Sequence, residues 1–339
     1  MSAHDKSLID RRSLLGLGGL AAAGLVAVPA IEKMRKSQSP VFIAKGKTYQ
    51  SDLAATIRDG LLACDVQAGS FKGKRVLLKP NLVEPTRKSP HMTTHPAMIV
   101  AAAEVFRGWG AEVSVGEAPG HVRDTEMALV ESGVGEALSD GGLKFADLNY
   151  EEVGWRRNRG KYSGLKGIYL PRSVLEADVV VSMPKMKTHH WVGVTCGMKN
   201  MYGVMPGIKY GWPKNVLHHN GIPQTVADIN ATMTRTMTIV DGIDCMEGDG
   251  PILGTMKHMG LVVVGANLPA VDATVARIMG LDPTKIEYLQ LASHYLGAID
   301  DDYLVQRGEN WRELVSPFHI LDESHLQKLR ATPEGDLVS

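Results

Sequence analysis

Short apolar segments rich in β-branched residues alternate along this chain with segments of helical periodicity. The apolar segments predict strands at residues 41–44, 75–78, 112–115, 144–148, 178–182, 238–240 and 261–265. The periodic segments predict helices at residues 52–62, 97–109, 124–132, 172–177, 222–236, 269–280 and 284–296. This alternation predicts an α/β fold with a mostly parallel sheet and helices on both faces.

The first thirty residues have the composition of an export signal rather than of a folded domain. Arg11 and Arg12 form a twin-arginine pair, and a Gly- and Ala-rich apolar segment follows as far as Val28. This pattern predicts a Tat signal at residues 1–30, recognised by the Tat translocase, and therefore a periplasmic or extracytoplasmic protein. An uncleaved signal would leave the protein tethered to the membrane. Residues 31–40 are predicted as a linker, 41–325 as one α/β domain and 326–339 as a tail.

The charge balance argues against a nucleic-acid-binding protein, and the cysteine spacing does not determine whether disulfides form. The 37 basic and 37 acidic residues balance, so no overall field favours nucleic acid as a partner. The basic segment 150–168 is predicted as a solvated hairpin rather than a binding patch. Cys64, Cys196 and Cys245 are widely spaced and form no CxxC pair, which leaves their disulfide state open.

Polar residues follow several of the predicted strands, where ligands bind in parallel sheets. Lys79 and Asn81 follow one strand, and Lys185, Lys187 and His189 follow another. Lys199 and Asn200 lie further along the same glycine-rich loop, which the sequence predicts to be irregular from Pro184 onward. Lysine ammonium groups near glycine-rich backbone are suited to a phosphate or a carboxylate. We therefore predict substrate-binding roles for Lys79, Asn81, Lys185, Lys187, Lys199 and Asn200.

Acidic and histidine side chains supply candidates for chemistry. Asp241 and Glu247 lie at and beyond the predicted strand 238–240, and His189 lies in the lysine-rich loop, so we predict catalytic roles for these three. Asp249 is a candidate ligand, with Asp241 and Glu247, for a divalent metal ion. Turn formation by Asp and Gly explains the same acidic segment without a metal. The chain has no Walker motif and no GxGxxG motif, so a nucleotide is not indicated.

Five blocks in this order resemble the signature of the DUF362 family, and they extend over roughly residues 73–295. The blocks are Lys79-Pro-Asn81, Met183-Pro-Lys-Met-Lys-Thr-His189, Gly197-Met-Lys-Asn-Met-Tyr-Gly203, Ile239–Ile243 with Glu247–Pro251, and Ala270-Val-Asp-Ala273. The resemblance implies no settled activity. Many members carry a ferredoxin-like pair of four-cysteine clusters, but this chain lacks those motifs, so no intrinsic iron–sulfur cluster is expected.

Three functions remain open from the sequence. The first is an exported enzyme that binds a small anionic substrate through the lysine-rich loop. The second is a non-catalytic ligand-binding or accessory protein of a redox system, with a redox protein as partner, and the third is a metal-dependent oxidoreductase. The sequence identifies neither the substrate nor the reaction, and it leaves the oligomeric state open.

Overall fold

The structure is a computed structural model that describes residues 38–120, 123–233 and 235–332. The predicted Tat signal, most of the predicted linker and the end of the predicted tail lie outside the described residues. Within those three ranges, no helix is both long enough and apolar enough to cross a membrane.

Strands and helices alternate through most of the described chain. The strands are β1 Ser39–Ala44, β2 Arg75–Pro80, β3 Glu112–Glu117, β4 Lys144–Asp147, β5 Val153–Arg157, β6 Gly167–Pro171, β7 Val179–Met183, β8 Lys185–His189, β9 Gly193–Thr195, β10 Thr236–Glu247, β11 Thr255–Gly265 and β12 Leu304–Gly308. The α-helices are α1 Leu53–Ala63, α2 Pro96–Gly108, α3 Thr125–Ser132, α4 Val134–Asp140, α5 Arg172–Glu176, α6 Gly197–Asn200, α7 Gly207–Tyr210, α8 Asn215–His219, α9 Ile222–Thr232, α10 Leu268–Ile278, α11 Glu287–Ser293 and α12 Ser324–Gln327. Short 3₁₀ turns lie at Ala68–Phe71, Pro90–Met92, Met201–Val204, Pro283–Lys285, Asp301–Tyr303 and Trp311–Leu314.

One large sheet has the strand order β12-β1-β11-β10-β7-β2-β3-β4. The pairs from β10 through β7, β2 and β3 to β4 are all parallel, and β12 is parallel to β1. Only β11 is antiparallel to both of its neighbours in that order. The predicted mostly parallel sheet is therefore confirmed.

Both faces of this sheet are covered by helices. Successive residues of a strand point to opposite faces, so Leu77 packs in one core cluster while Val76 and Leu78 pack in the other. Helices α1 and α2 contribute to the Val76 cluster, whereas α9, α10 and α11 contribute to the Leu77 cluster. Strands buried on both faces carry near-continuous apolar runs, which is why their positions were predicted well.

The segment after Pro184 is a strand, which corrects the predicted irregular loop. Pro184 has no N–H to donate, but its carbonyl accepts a hydrogen bond from the Asp241 N–H at 2.9 Å. Pairing with β10 then resumes, with Lys185 opposite Asp241. As a result, β7 and β8 both run beside β10, one after the other, with Pro184 between them.

Other boundaries also differ from the predictions. Strand β10 continues through Asp241 to Glu247. The buried Asp241 carboxylate is tolerated inside the strand because Lys185 neutralises its charge. Helix α9 ends at Thr232, four residues early, and the predicted irregular segment 204–221 contains the short helices α7 and α8. Strand β12 was not predicted. The hairpin expected within 150–168 is present as the two-stranded antiparallel sheet β5–β6.

Candidate functional site

A cavity of about 310 Å³ lies at the carboxyl ends of the parallel strands β2 and β3. Its wall combines residues that follow these strands with residues from β8, β9, α6 and the segment before α8. The charged and polar side chains in its described lining are Lys79, Asn81, Glu117, His189, His190, Thr195, Lys199, Asn200, Lys214 and His218, together with the rings of Trp191 and Tyr202. We call this space the lysine cavity.

Lys79 and Glu117 form a buried ion pair in the wall of the cavity. The Lys79 Nζ also donates to the Oδ1 of Asn200 at 2.9 Å and to the Pro80 carbonyl at 2.8 Å. Asn81 Nδ2 reaches the same Asn200 oxygen at 3.1 Å, which ties two predicted binding residues together. Burial raises the pKa of Glu117 to about 7, and the Lys79 ammonium opposes that rise.

Gly203 and Asp272 position the short helix α6 against this pair. A Cβ on Gly203 would lie 2.2 Å from the Lys79 Nζ and 2.1 Å from the Glu117 Oε1, so only glycine fits there. Asp272, fully buried on α10, accepts a hydrogen bond from the Met198 N–H at 3.0 Å. The carboxylate therefore holds the first turn of α6, from which Lys199 projects into the cavity.

Lys199 and Lys214 are the two cavity lysines without a carboxylate partner among the described residues. The Lys199 Nζ lies 4.2 Å from the centre of the Tyr202 ring, and no described residue accepts a hydrogen bond from it. Lys214 donates to the neutral oxygens of Asn149 and Met205. Burial lowers the pKa of each lysine to about 7, and the charge of Lys79 adds to the effect.

His189 is neutral, and its tautomer is fixed by the backbone. Burial, followed by the charge of Lys199, lowers the pKa of His189 well below its usual value. Its Nδ1 accepts a hydrogen bond from the Trp191 N–H at 3.1 Å. The proton of the neutral ring therefore sits on Nε2, and this nitrogen is a donor rather than a base.

Apart from the Glu117 Oε2, which is in the ion pair with Lys79, two buried side-chain oxygens on residues of the cavity lining have no hydrogen-bond partner among the described residues. They are the Oδ1 of Asn81 and the Oγ1 of Thr195, on side chains 5% and 3% exposed. Buried polar atoms are normally paired, so two orphaned oxygens on residues of one cavity lining are candidates for hydrogen bonds to a ligand.

The structure brings five of the predicted site residues to the cavity and places the others elsewhere. Lys79, Asn81, His189, Lys199 and Asn200 line it. Lys185 and Asp241 form a fully buried ion pair of 2.6 Å, and Lys187 donates to the carbonyls of Met92 and Pro251. These three residues do not belong to the described cavity lining, and their charged groups interact with other protein groups.

The three candidate metal ligands each contact a different side chain in the structure. Asp241 pairs with Lys185, Glu247 pairs with Lys257 at 3.3 Å, and Asp249 contacts the Nδ1 of His190 at 3.2 Å. Among the residues that the structure describes, no three His, Cys, Asp or Glu side chains are grouped to hold a metal ion. Closeness in sequence was a poor guide because the strand and the turn place each acid beside a different side chain.

Two charged members of the site received no functional role from the sequence. Glu117 ends β3 much as Lys79 lies near the end of β2, so the rule that placed Lys79 at the sheet edge also identifies Glu117. Lys214 left no such signal, because it lies in a segment without periodicity and reaches the cavity only through the fold.

The chain is similar to one family model, one curated protein and one solved structure. A family model described as "Domain of unknown function (DUF362)" matches residues 76–277. The "Thylakoid-associated protein sll1697" of Synechocystis sp. is 28% identical over 253 residues, which cover 73% of this chain and 76% of that protein. The lactate racemase apoprotein from Thermoanaerobacterium thermosaccharolyticum superposes with a TM-score of 0.43 and 13% identity, over 73% of this chain and 58% of that one. A likeness this loose carries no argument about chemistry.

Proposed function

We propose that this chain, which belongs to the DUF362 family of domains of unknown function, is an enzyme that binds a small carboxylate or phosphate in the lysine cavity. The observation that carries the proposal is Lys199. This residue lines the cavity, and its Nζ has neither a hydrogen-bond acceptor nor a carboxylate partner among the described residues. An ammonium in such a poorly hydrated position is stabilised by an anionic ligand, because the ligand replaces the lost hydration.

The charge balance of the described lining supports an anion. Lys79 and Glu117 neutralise each other, which leaves Lys199 and Lys214 as uncompensated cations when both are protonated. A bound carboxylate or phosphate would neutralise these two cations and would raise the pKa of both lysines. The orphaned oxygens of Asn81 and Thr195 then suit hydroxyl or amino groups of the ligand, since oxygen acceptors need donors.

Two side chains supply acid–base chemistry. Burial lowers the pKa of Lys199 to about 7 in the ligand-free cavity and a bound anion raises it, so Lys199 suits proton transfer at and somewhat above neutral pH. His189 offers an Nε2–H that stabilises negative charge developing on a substrate oxygen. The reaction class that fits is proton transfer to or from a small anion, with Lys199 moving the proton and His189 as the hydrogen-bond donor.

The test compares wild type with Lys199→Met and with Lys144→Met, an exposed lysine on β4 that serves as control. Isothermal titration with a panel of two- to six-carbon carboxylates and with inorganic phosphate should give at least one ligand that binds wild type and the control equally. Lys199→Met should weaken that ligand at least about tenfold, the scale of one charge-assisted hydrogen bond of about 1.5–3 kcal/mol. Equal affinity in all three proteins would contradict the proposal.

Catalysis is tested separately from binding. The ligand is incubated with protein in D₂O, and proton NMR follows the loss of carbon-bound or other slowly exchanging hydrogen. Exchange that requires Lys199 supports the enzyme. Binding without exchange or turnover instead identifies a ligand-binding accessory protein.

We further propose that the protein is exported through the Tat pathway. The support is the twin-arginine pattern at Arg11 and Arg12, together with a relative named "Thylakoid-associated protein sll1697". Replacing both arginines by lysine should retain the protein in the cytoplasm, as measured by fractionation and immunoblotting. The exposed Arg58→Lys variant is the control, and equal export of both variants would contradict the proposal.

A further inference from the structure

The β5–β6 hairpin, residues 153–171, carries a basic surface that the lysine cavity does not use. Its cations are Arg156, Arg157, Arg159, Lys161 and Lys166, and all five side chains are exposed. None of them forms an ion pair with a described residue, whereas Arg172, just beyond the hairpin, pairs with Glu176 at 2.7 Å. We call residues 153–171 the basic hairpin.

Two large aromatic rings stand exposed on the same hairpin. Trp155 and Tyr169 lie directly opposite each other on the paired strands, with 51% and 40% of their surface accessible. The Trp155 ring lies over Gly167, where a Cβ would come within 2.2 Å of it. Lys209 places its Nζ 5.2 Å from the centre of the Tyr169 ring. Exposed rings flanked by cations are typical of side chains that sit at a membrane–water interface.

A groove of about 300 Å³ runs along the base of the basic hairpin. Arg156, Arg157 and Arg159 line it, and its apolar part comes from Leu170, Val174, Leu175 and Met233. Guanidinium groups beside an apolar floor fit an anionic group that carries a hydrocarbon portion.

The tip of the basic hairpin is fixed by hydrogen bonds to helix α9. Asp228, fully buried on α9, accepts hydrogen bonds from the Tyr162 N–H at 2.8 Å, the Ser163 N–H at 2.9 Å and the Asn158 Nδ2 at 2.6 Å. Little backbone ordering is therefore required when a partner binds, which favours association.

We propose that the basic hairpin docks the protein on the surface of a bilayer that contains anionic phospholipids. Its arginines and lysines pair with headgroup phosphates, and Trp155 and Tyr169 enter the headgroup layer. A nucleic acid fits less well because Glu151 and Glu152, at the base of the hairpin, limit the cationic surface to a small area. The chain as a whole has no net charge to attract a long polyanion.

The test measures co-sedimentation of the full chain with vesicles of phosphatidylcholine alone and of phosphatidylcholine with 30% phosphatidylglycerol. The hairpin variant carries Arg156→Gln, Arg157→Gln and Arg159→Gln. The control variant carries Lys72→Gln, Lys144→Gln and Lys328→Gln, which removes the same charge from exposed positions on other elements. Wild type and control should bind the anionic vesicles, and the hairpin variant should bind at least about tenfold more weakly. Equal loss in both variants, or equal binding to neutral vesicles, would overturn the proposal.

A second measurement reports the contact itself. Vesicles with brominated acyl chains should quench part of the tryptophan fluorescence of wild type, and Trp155→Phe should remove that quenching while circular dichroism stays unchanged. Quenching that persists in Trp155→Phe would overturn the docking geometry. Release of bound protein from anionic vesicles by a single-stranded oligonucleotide at lower concentration than the lipid would identify a nucleic-acid surface instead.

Discussion

Lys79 and Glu117 form an ion pair at the ends of two neighbouring parallel strands, with 1% and 4% of their side chains exposed. Neither charge is hydrated by bulk water, so each depends on the other, and the Lys79 ammonium also donates to the Asn200 Oδ1. This pair forms one wall of the lysine cavity, and therefore the stability of the fold and the charge of the site are coupled there.

We expect Glu117→Gln to destabilise the protein by about 3–5 kcal/mol, because it leaves the Lys79 ammonium buried without a counter-charge. Urea unfolding followed by circular dichroism measures the change. The double variant Lys79→Met with Glu117→Leu should recover most of the loss, since no unpaired charge then remains. A cost below about 1 kcal/mol for the single variant would show that this pair is not buried as described.

We expect Gly203→Ala to destabilise the fold, because the new Cβ would meet the Lys79 Nζ at 2.2 Å and the Glu117 Oε1 at 2.1 Å. Overpacking of this kind costs about 1–3 kcal/mol. The matched control is Gly108→Ala in helix α2, where a Cβ meets nothing within 4 Å and alanine is the better helix former. Thermal unfolding should separate the two variants, and similar midpoints would contradict the predicted clash.

The Lys185–Asp241 pair tests whether Asp241 is catalytic, as the sequence suggested, or structural. Tyr49 donates to Asp241 at 3.1 Å and accepts from Lys185 at 2.8 Å, so the pair is fully partnered inside the protein. We expect Asp241→Asn to reduce the free energy of unfolding by about 3–5 kcal/mol, because it leaves the buried Lys185 ammonium without a counter-charge.

The paired change Lys185→Met with Asp241→Leu should restore stability, and it should leave the ligand affinity measured at the lysine cavity within about threefold. A catalytic Asp241 would give the opposite pattern, with stability little changed and turnover lost.

The two unpaired cavity lysines predict how stability depends on pH. Burial lowers the pKa of Lys199 and of Lys214 to about 7 in the folded state, against 10.5 for the unfolded chain. Between these values the unfolded state binds more protons, so the stability of the ligand-free protein should rise as pH rises from about 7 toward 10.

Each lysine contributes at most about 1.4 kcal/mol per pH unit, and solvent screening reduces the share of the partly exposed Lys199. Lys199→Met should flatten the profile measured by urea unfolding, whereas Lys144→Met should not. Anion affinity should fall over the same range, because the lysines lose the protons that the anion requires. Affinity that stays constant from pH 7 to pH 9 would contradict the assignment.

The alternation of apolar and periodic segments was enough to predict most strands of the sheet and the helices on both faces. Runs such as Val179–Val181 are buried on both sides, so their local sequence carries the signal. The same logic placed Lys79 and Asn81 at the carboxyl edge, because the carboxyl ends of parallel strands share one edge of the sheet. Their meeting with Lys199 and Asn200 in one cavity is found only in the structure.

Only the tertiary structure decided which acidic and basic side chains form ion pairs. Asp241 lies inside β10 because Lys185, far away in sequence, neutralises it, and no local pattern predicts that partner. Lys214 reaches the cavity from an aperiodic segment for the same reason. The sequence determined where polar residues leave the sheet, because burial and periodicity are local properties. Which lysines are paired and which remain available to a ligand depends on long-range contacts, because the free energy of a buried charge is set by neighbours that folding alone brings together.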